Sequence, residues 1–217
     1  MSNHKLYKMQ LTFLSDWHIG TGAGIPGVSD RAILRDEEGF PFIPGRTLRG
    51  ILRDMHEQLS ELAHLKAKIP APEEIWGTRQ KGAEKTSREG RWLVGNGELA
   101  PKIKTPLKDA SKEVRQIWLN EFTFIAPRIS LDPRKRVKED HLAFIEMGRK
   151  GLQFEFTISR RDGGAMDDKE MLLLRLLTLT VQRLGGTRRR GKGRVELCLH
   201  ADGNRQETLK RIQGGLQ

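Results

Sequence analysis

The chain is short of thiols, of long apolar runs and of acid. One cysteine, Cys198, stands in 217 residues. A single thiol closes no internal disulfide and builds no cysteine-rich zinc site, so a reducing, cytoplasmic setting is expected. No run of about 18 apolar residues occurs, which leaves no candidate membrane-spanning helix. The start, MSNHKLYKMQLTFL, turns polar at Ser15 and carries no small-residue cleavage motif, so a signal peptide is not expected. No HExxH spacing, no nucleophile elbow of the GxSxG type and no Walker-type GK[ST] ending is present. These gaps exclude the common zinc hydrolase, serine hydrolase and P-loop readings. No internal repeat is visible either.

What is present is positive charge. Lys and Arg number 39 against 28 Asp and Glu, a formal net charge of +11. Such a balance favours a polyanionic partner, nucleic acid before membrane, if the charge is clustered. The length suits one domain spanning 1–217 with large insertions.

Alternation of apolar and polar residues predicts a strand over Leu6–Leu14, and again over GLQFEFTISR and at Val195, Leu197 and Leu199. RAILRDEEGFPFI reads as two short strands around the turn DEEG. Leu48, Ile51, Leu52, Met55, Leu59 and Leu62 form a helical stripe with Thr47 as the expected N-cap. A second helix is expected over Asp167–Leu184, with Asp167 and Asp168 at its start. The stretch 66–120 reads as an insertion: an exposed connection anchored by Ile75 and Trp76, a short strand in RWLVGNGEL, then an irregular polar segment with a short helix around Lys112–Leu119. The tail from Ala201 reads as frayed. The order of elements predicts an α+β fold, a ferredoxin-like (RRM-type) sheet with large insertions.

Three basic clusters carry the candidate chemistry. Arg46, Arg49 and Arg53 are spaced to share one face at the start of the first long helix. A helix N-terminus already favours phosphate through its free N–H groups and dipole, and guanidinium groups add bidentate donors; a solvated helix face is the alternative. Gly185–Arg194, GGTRRRGKGR, holds Arg188, Arg189, Arg190, Lys192 and Arg194 among four glycines with no acid. Glycines let backbone N–H groups approach a phosphate chain closely, although the same string suits a basic turn. Arg128, Arg134, Lys135, Arg136 and Lys138 lie between two expected strands, as a projecting finger or a solvated loop. Acid chemistry is sparse: Asp30 follows a glycine-rich loop, and His18 beside Trp17 could contact phosphate or base, or be an ordinary histidine at the core's edge.

In this order the motifs resemble a family. Trp17-His18-Ile19-Gly20 with its glycine loop, Phe42-Ile43-Pro44-Gly45-Arg46-Thr47-Leu48-Arg49-Gly50, and Gly185-Gly186 through Gly193 resemble the RAMP superfamily of CRISPR-associated proteins. Within it, the likeness is to the Cas-seven-type backbone subunit of type III interference complexes, of the Csm, Cmr or III-D-like kind. Asp30 to Asp36, DRAILRD, matches that group's D-x-x-[VI]-[IL]-R-D segment, and Asp132-Pro133-Arg134 looks like its thumb. The likeness is strongest over 11–53 and 181–197 and weak over 66–120.

The resemblance implies an RRM-type palm that polymerises along a guide CRISPR RNA and inserts a basic thumb, about 128–142, that kinks the guide and splays one base pair. The basic clusters and His18 give the expected RNA contacts: His18, Arg46, Arg49, Arg53, Arg134, Arg136, Arg188, Arg189, Arg190 and Lys192. The resemblance places Asp30 where nuclease members carry the acidic residue that cuts complementary target RNA, with Asp30 also the expected ligand of a divalent metal, Mg²⁺ or Mn²⁺. Partners would be the guide, the target RNA, further copies of the chain or related RAMP subunits, and other type III subunits, with no membrane. Two other readings stand beside this one. The chain could be a structural ribonucleoprotein subunit without chemistry, with Asp30 merely ordering the glycine loop. It could also be a stand-alone guide-processing endoribonuclease of the Cas-six type, for which His56 is the one histidine well inside the first helix.

Overall fold

Three alternating segments build the central sheet. The computed structural model describes residues 4–20, 22, 24, 29–78, 88–131, 137–186 and 190–216, the side chains of 129–142 and 216 excepted. β1 (Leu6–Phe13) turns Met9, Leu11 and Phe13 to one face; a later strand, Gln153–Arg160, does the same with Phe154, Phe156 and Ile158, and the last, Val195–Leu199, with Val195, Leu197 and Leu199. β1 lies between these two, antiparallel to both, with Leu11 opposite Phe154 on one side and Leu197 on the other. This register puts the buried apolar side chains of the three strands on one face; a slip of one residue would turn them all to water.

In chain order, α1 (Gly45–Ser60) follows β1, then α2 (Pro72–Trp76), β2 (Trp92–Val94), β3 (Glu98–Leu99), α3 (Pro101–Asp109), α4 (Lys112–Glu121), β4 (Thr123–Leu131), β5 (Val137–Gly148), β6 (Gln153–Arg160), α5 (Asp168–Thr180), β7 (Val195–Leu199) and α6 (Arg205–Leu216). The sheet order is β2-β6-β1-β7, with β3 also on β6. Taking β1, β2, β6 and β7 as the four palm strands, with α1 and α5 as the crossovers, gives the β-α-β-β-α-β ferredoxin-like arrangement expected from sequence. Leu48, Leu52 and Leu59 of α1 and Leu173, Leu174 and Leu177 of α5 join the strands in one core. Each fully buried leucine of this kind contributes roughly 1.5–3 kcal/mol.

The other face of the sheet presents Lys8, Gln10, Thr12, Gln153, Glu155, Thr157, Glu196 and Cys198, all at least partly exposed and none aromatic. RRM sheets stack bases on aromatic side chains; these positions offer none, so base stacking is not made at them.

β4 and β5 pair as a separate two-stranded hairpin whose register shifts between Ile129 and Leu131. The expected thumb coincides with its outer half. Arg134 and Arg136 lie outside the described residues.

Several elements differ from expectation. α1 begins at Gly45, so Thr47 is inside it and does not cap it; the N-cap is Pro44, and the Gly45 N–H donates to Asn96 Oδ1 at 2.8 Å. α5 stops at Thr180, four residues early, because Val181 and Leu184 reach the core without helical backbone. Its start does carry the expected acids: Asp167 and Glu170 form a capping box. The segment 101–120 holds the expected short helix, as α4, and a second, α3, where an irregular stretch was expected; Pro101 sits at the start of α3, where its missing N–H costs nothing, although Pro106 lies inside the helix. The tail is not frayed: α6 packs against α5, burying Thr208 and Ile212. Buried Asp202 pairs there with Arg175 at 3.1 Å and Arg211 at 3.0 Å. Within 66–120, β2 is a strand of the palm sheet itself.

Candidate nucleic-acid interface

The DRAILRD segment runs alongside β5 as a strap. Asp30 exchanges two hydrogen bonds with Phe144: its N–H donates to the Phe144 carbonyl at 2.7 Å, and its Oδ2 accepts from the Phe144 N–H at 2.6 Å. The Glu146 N–H donates to the Arg31 carbonyl at 2.9 Å. Glu146 then reaches back: its carboxylate accepts from the Ile33 N–H at 2.9 Å and from Arg35 at 2.6 Å, and Arg35 also donates to Thr123 Oγ1 at 3.1 Å. Burial alone would push the Glu146 carboxyl upward, but the Ile33 N–H and the Arg35 guanidinium outweigh it and hold it below the ordinary range. The Glu146 carbonyl is bonded to His18 Nδ1 at 2.8 Å. A carbonyl only accepts, so Nδ1 carries a proton and Nε2 is the nitrogen left for a ligand.

His18 is 8% exposed and sits between the two glycine loops. A Cβ at Gly20 would lie 2.5 Å from His18 Nε2, and one at Gly185, where φ is +90°, would lie 2.5 Å from the His18 carbonyl oxygen. At Gly20 and Gly185 the need for glycine is concrete: a side chain at either would collide with His18. The Gly186 N–H donates to the same carbonyl at 2.8 Å.

Around this histidine opens a cavity of about 590 Å³. His18, Ile19 and Gly20 form one wall, Gly185 and Gly186 another, and Arg46, Thr47, Gly50, Ile51 and Asp54 of α1 a third, with Arg31 at the edge. α1 has no acid in its first turn, so its positive end is uncompensated where it meets the cavity. The helix presents positions 46, 47, 50, 51 and 54, not the 46–49–53 face expected from spacing. Arg49 donates to the Trp76 carbonyl, and Arg53 pairs with Glu57 at 2.8 Å. Of the three arginines only Arg46 is brought to the cavity.

The C-terminal loop is only partly described: Arg188 and Arg189 lie outside the described residues. Lys192 pairs with Asp16 at 2.7 Å, and the Gly193 N–H donates to the Asp16 carbonyl at 2.8 Å. Burial raises the Asp16 carboxyl, but Lys192 and the Lys150 N–H overcome this and lower it. Lys192 thus first serves to pin the loop to the end of β1. Arg190 is exposed beside the base of the β4–β5 hairpin.

Asp30 does not line the cavity that holds His18 and Arg46. It is exposed at the junction of strap and hairpin, with one carboxylate oxygen engaged by Phe144. Among the described residues no group of three or more His, Cys, Asp or Glu is placed to hold a metal. Among the described residues one Asp30 carboxylate oxygen has no hydrogen-bond partner, which suits a hydrated cation drawing its other ligands from phosphate and water, not a protein cage.

His56 is fully buried. Its Nδ1 accepts from the Trp76 indole N–H at 2.9 Å and its Nε2 bonds the Pro70 carbonyl at 3.0 Å. Burial holds its pKa below the ordinary histidine value, ahead of the opposing Pro70 bond and the nearby acids. Neutral, enclosed and bonded at both nitrogens, it cannot deliver a proton to a substrate.

Sequence reasoning missed Arg31, Asp54, Arg35 and Glu146. Arg31 and Arg35 sat in the quoted motif, but nothing there signals that one faces a cavity and the other a buried carboxylate 111 residues away.

The family model of the RAMP superfamily matches residues 10–196. Comparison with curated proteins finds no match. Among solved structures the chain is similar to a subunit of the type III-B Cmr-beta complex bound to cognate target RNA, with TM-score 0.68 and 13% identity over 93% of this chain and 99% of that one. It is also similar to a subunit of Cmr-beta in the apo state, with TM-score 0.61 and 14% identity over the same shares. At these identities the likeness is one of fold.

Proposed function

The chain belongs to the RAMP superfamily, and from that premise we propose that it is a guide-RNA-binding backbone subunit of a type III CRISPR interference complex. The observation that carries the reading is the cavity where His18, Arg46, the uncompensated N-terminus of α1 and the Gly185–Gly186 backbone converge. The positive end of a helix, a guanidinium and close backbone approach are what a phosphate chain needs. The solved relative of like fold comes from a complex that binds target RNA, and its subunit is matched over 99% of its length. Target RNA, sister copies and further subunits of such a complex are the partners this reading assigns, with no membrane; among the described residues no helix is long and apolar enough to cross one.

Target cleavage at Asp30 is part of the proposal. The step is in-line attack of a ribose 2′-OH on the adjacent phosphorus, breaking the bond to the 5′-oxygen and leaving a cyclic phosphate. Asp30 is fixed at the hairpin base by its paired bonds to Phe144, and its second oxygen is left to take the 2′-OH proton or to hold a cation. A divalent cation held there with RNA phosphates would neutralise the charge that builds on the phosphoryl oxygens. The engagement of Asp30 with Phe144 equally favours the second reading, a subunit without chemistry in which Asp30 orders the strap.

The test is reconstitution with a guide and a complementary target. Under the nuclease reading Asp30→Ala and Asp30→Asn abolish Mg²⁺- or Mn²⁺-dependent cleavage while guide and target binding stay within a few-fold. Wild-type cleavage by Asp30→Ala would make the chain a scaffold. Failure of the wild-type chain to bind RNA at low salt would end the whole reading.

A further inference from the structure

The helices that back the palm sheet enclose a cavity of their own. It measures about 500 Å³ and opens where the first turns of α5, the end of α6 and residues 67–68 meet. It shares no lining residue with the cavity of His18 and Arg46. Lys68, Lys169, Arg175 and Arg211 are the cations of its lining, and Asp168 is the one acid. Met171 and Leu172 supply an apolar wall.

Two of these cations are held from behind by one carboxylate. Asp202, its side chain fully buried, accepts from Arg175 Nε at 3.1 Å and pairs with Arg211 at 3.0 Å. One carboxylate neutralises one guanidinium and leaves the second uncompensated. Glu207 also approaches Arg211, at 3.6 Å, but is shared with Lys210 at 3.7 Å. The Arg175 side chain is only 19% exposed and spends Nε alone on Asp202. Among the described residues its two Nη groups have no partner. Largely desolvated guanidinium N–H groups lining a cavity call for an acceptor. Lys169, bonded to the Ala67 carbonyl at 3.1 Å, adds an ammonium with donors to spare.

These features discriminate among anions. A carboxylate presents one planar edge and matches one guanidinium, whereas the tetrahedral oxygens of a phosphate can bridge two. Four lining cations against one acid favour two negative charges over one, and so a phosphate monoester over the diester of a nucleic-acid backbone. The volume falls in the range of small-ligand sites, with Met171 and Leu172 to cover an uncharged portion. We propose that this cavity binds a small organic phosphate monoester, its phosphate held between Arg175, Arg211 and Lys169. The site goes beyond the RNA-binding reading and does not depend on it. Its occupant would supply the acceptor that Asp202 cannot, and would tie α5 to α6.

The experiment is titration calorimetry on the full chain at matched ionic strength. The probes are inorganic phosphate, adenosine monophosphate as the monoester, adenosine as its uncharged counterpart and the dinucleotide ApA as a singly charged diester. Each is titrated into the wild type and into Arg46→Glu, which removes the cation of the first cavity. The monophosphate should bind both alike, about tenfold or more tighter than ApA, and adenosine should not bind. Lys169→Glu and Arg175→Lys should each weaken the monophosphate about tenfold; the lysine keeps the charge and loses the fork. Gly215→Leu leaves every charge in place and fills the mouth. A Cβ there makes ordinary contact with Leu172 at 3.7 Å, so the helix accepts it, and binding should be lost while RNA affinity is unchanged. Thermal unfolding confirms that the variants fold. No binding of inorganic phosphate or the monophosphate would overturn the site. Equal binding of monophosphate and ApA would overturn the monoester assignment. Binding lost in Arg46→Glu and kept in Gly215→Leu would move the ligand to the first cavity. A 5′-phosphorylated RNA that binds this cavity more tightly than the monophosphate would overturn the small-ligand assignment. Monophosphate binding by a chain that binds no RNA would remove the function proposed above and leave this site standing.

Discussion

Two histidines stand at α1, His56 within it and His18 facing its N-terminal end, and their hydrogen bonding differs. His56 lies in the body of the helix, fully buried, with both ring nitrogens bonded to protein and its pKa lowered by burial. His18 faces the helix's N-terminal end, nearly as enclosed, yet among the described residues only its Nδ1 is bonded, and its ring lines a cavity beside Arg46. What separates the two histidines is not exposure but how many of their hydrogen bonds the described residues complete. The same contrast divides the arginines of the helix: Arg49 and Arg53 find protein partners, whereas Arg46 is turned to the cavity.

The largest effect should come from the support behind the open end. Glu146→Ala leaves Arg35, the Ile33 N–H and Thr123 without their shared partner, and should lower unfolding free energy by about 3 kcal/mol in denaturant titration. A loss under 1 kcal/mol would show that strap and hairpin stay joined without it. Next is the closed end. His56→Ala strands the Trp76 indole N–H and the Pro70 carbonyl, with an expected cost of about 2 kcal/mol in thermal unfolding, while RNA affinity of the folded fraction is unchanged. An equal loss of RNA affinity would erase the contrast.

Arg46→Glu should weaken RNA binding about tenfold or more and flatten its salt dependence, with Arg49→Glu and Arg53→Glu costing far less. Comparable losses at all three would restore the face that the spacing suggests. His18→Ala should weaken RNA retention several-fold with little change in melting temperature. The smallest effect is a pH dependence. His56 in the folded chain is below its ordinary value of 6.5, so the unfolded chain takes up a proton first as pH falls. Stability is fully present above pH 6.5, declines below it, and levels off beneath the folded pKa. His56→Phe should remove that decline. The Glu146 contribution behaves separately: its folded pKa is depressed, so its share is present above the ordinary glutamate value of 4.5 and is lost as pH falls through the lower folded value.

The palm was legible because its information is local. Met9–Leu11–Phe13, Phe154–Phe156–Ile158 and Val195–Leu197–Leu199 alternate in the chain, and alternation alone names the face they share. The capping acids of α5 were legible for the same reason. α3 was hidden by Pro101 and Pro106, since proline reads as interruption even where it opens a helix. α6 was hidden because its apolar contacts are few, and part of its hold on the fold comes from Arg175 and Arg211 converging on buried Asp202, which no short window displays. At the candidate site, the glycine loops, His18 and Arg46 announced themselves by type and order. The separation of Arg46 from Arg49 and Arg53 did not, because it depends on where Trp76 and Glu57 stand. Glu146 gave no signal at all: an acid in a strand after a basic segment looks solvated until Arg35 and Ile33 are folded against it.

The first amide of α1 is bonded not by a neighbour in sequence but by Asn96, in the link between β2 and β3, 51 residues downstream. A helix whose opening turn waits on so distant a residue cannot complete itself early. During synthesis its later turns can form as soon as the Leu48–Leu52–Leu59 stripe meets β1, but the bond that holds its first amide waits until the sheet edge at β2 has docked on β6, itself the product of still later chain. Under the proposed function, RNA loading would then be late by construction: the end of the helix that would greet a guide is among the last parts of the palm to be completed.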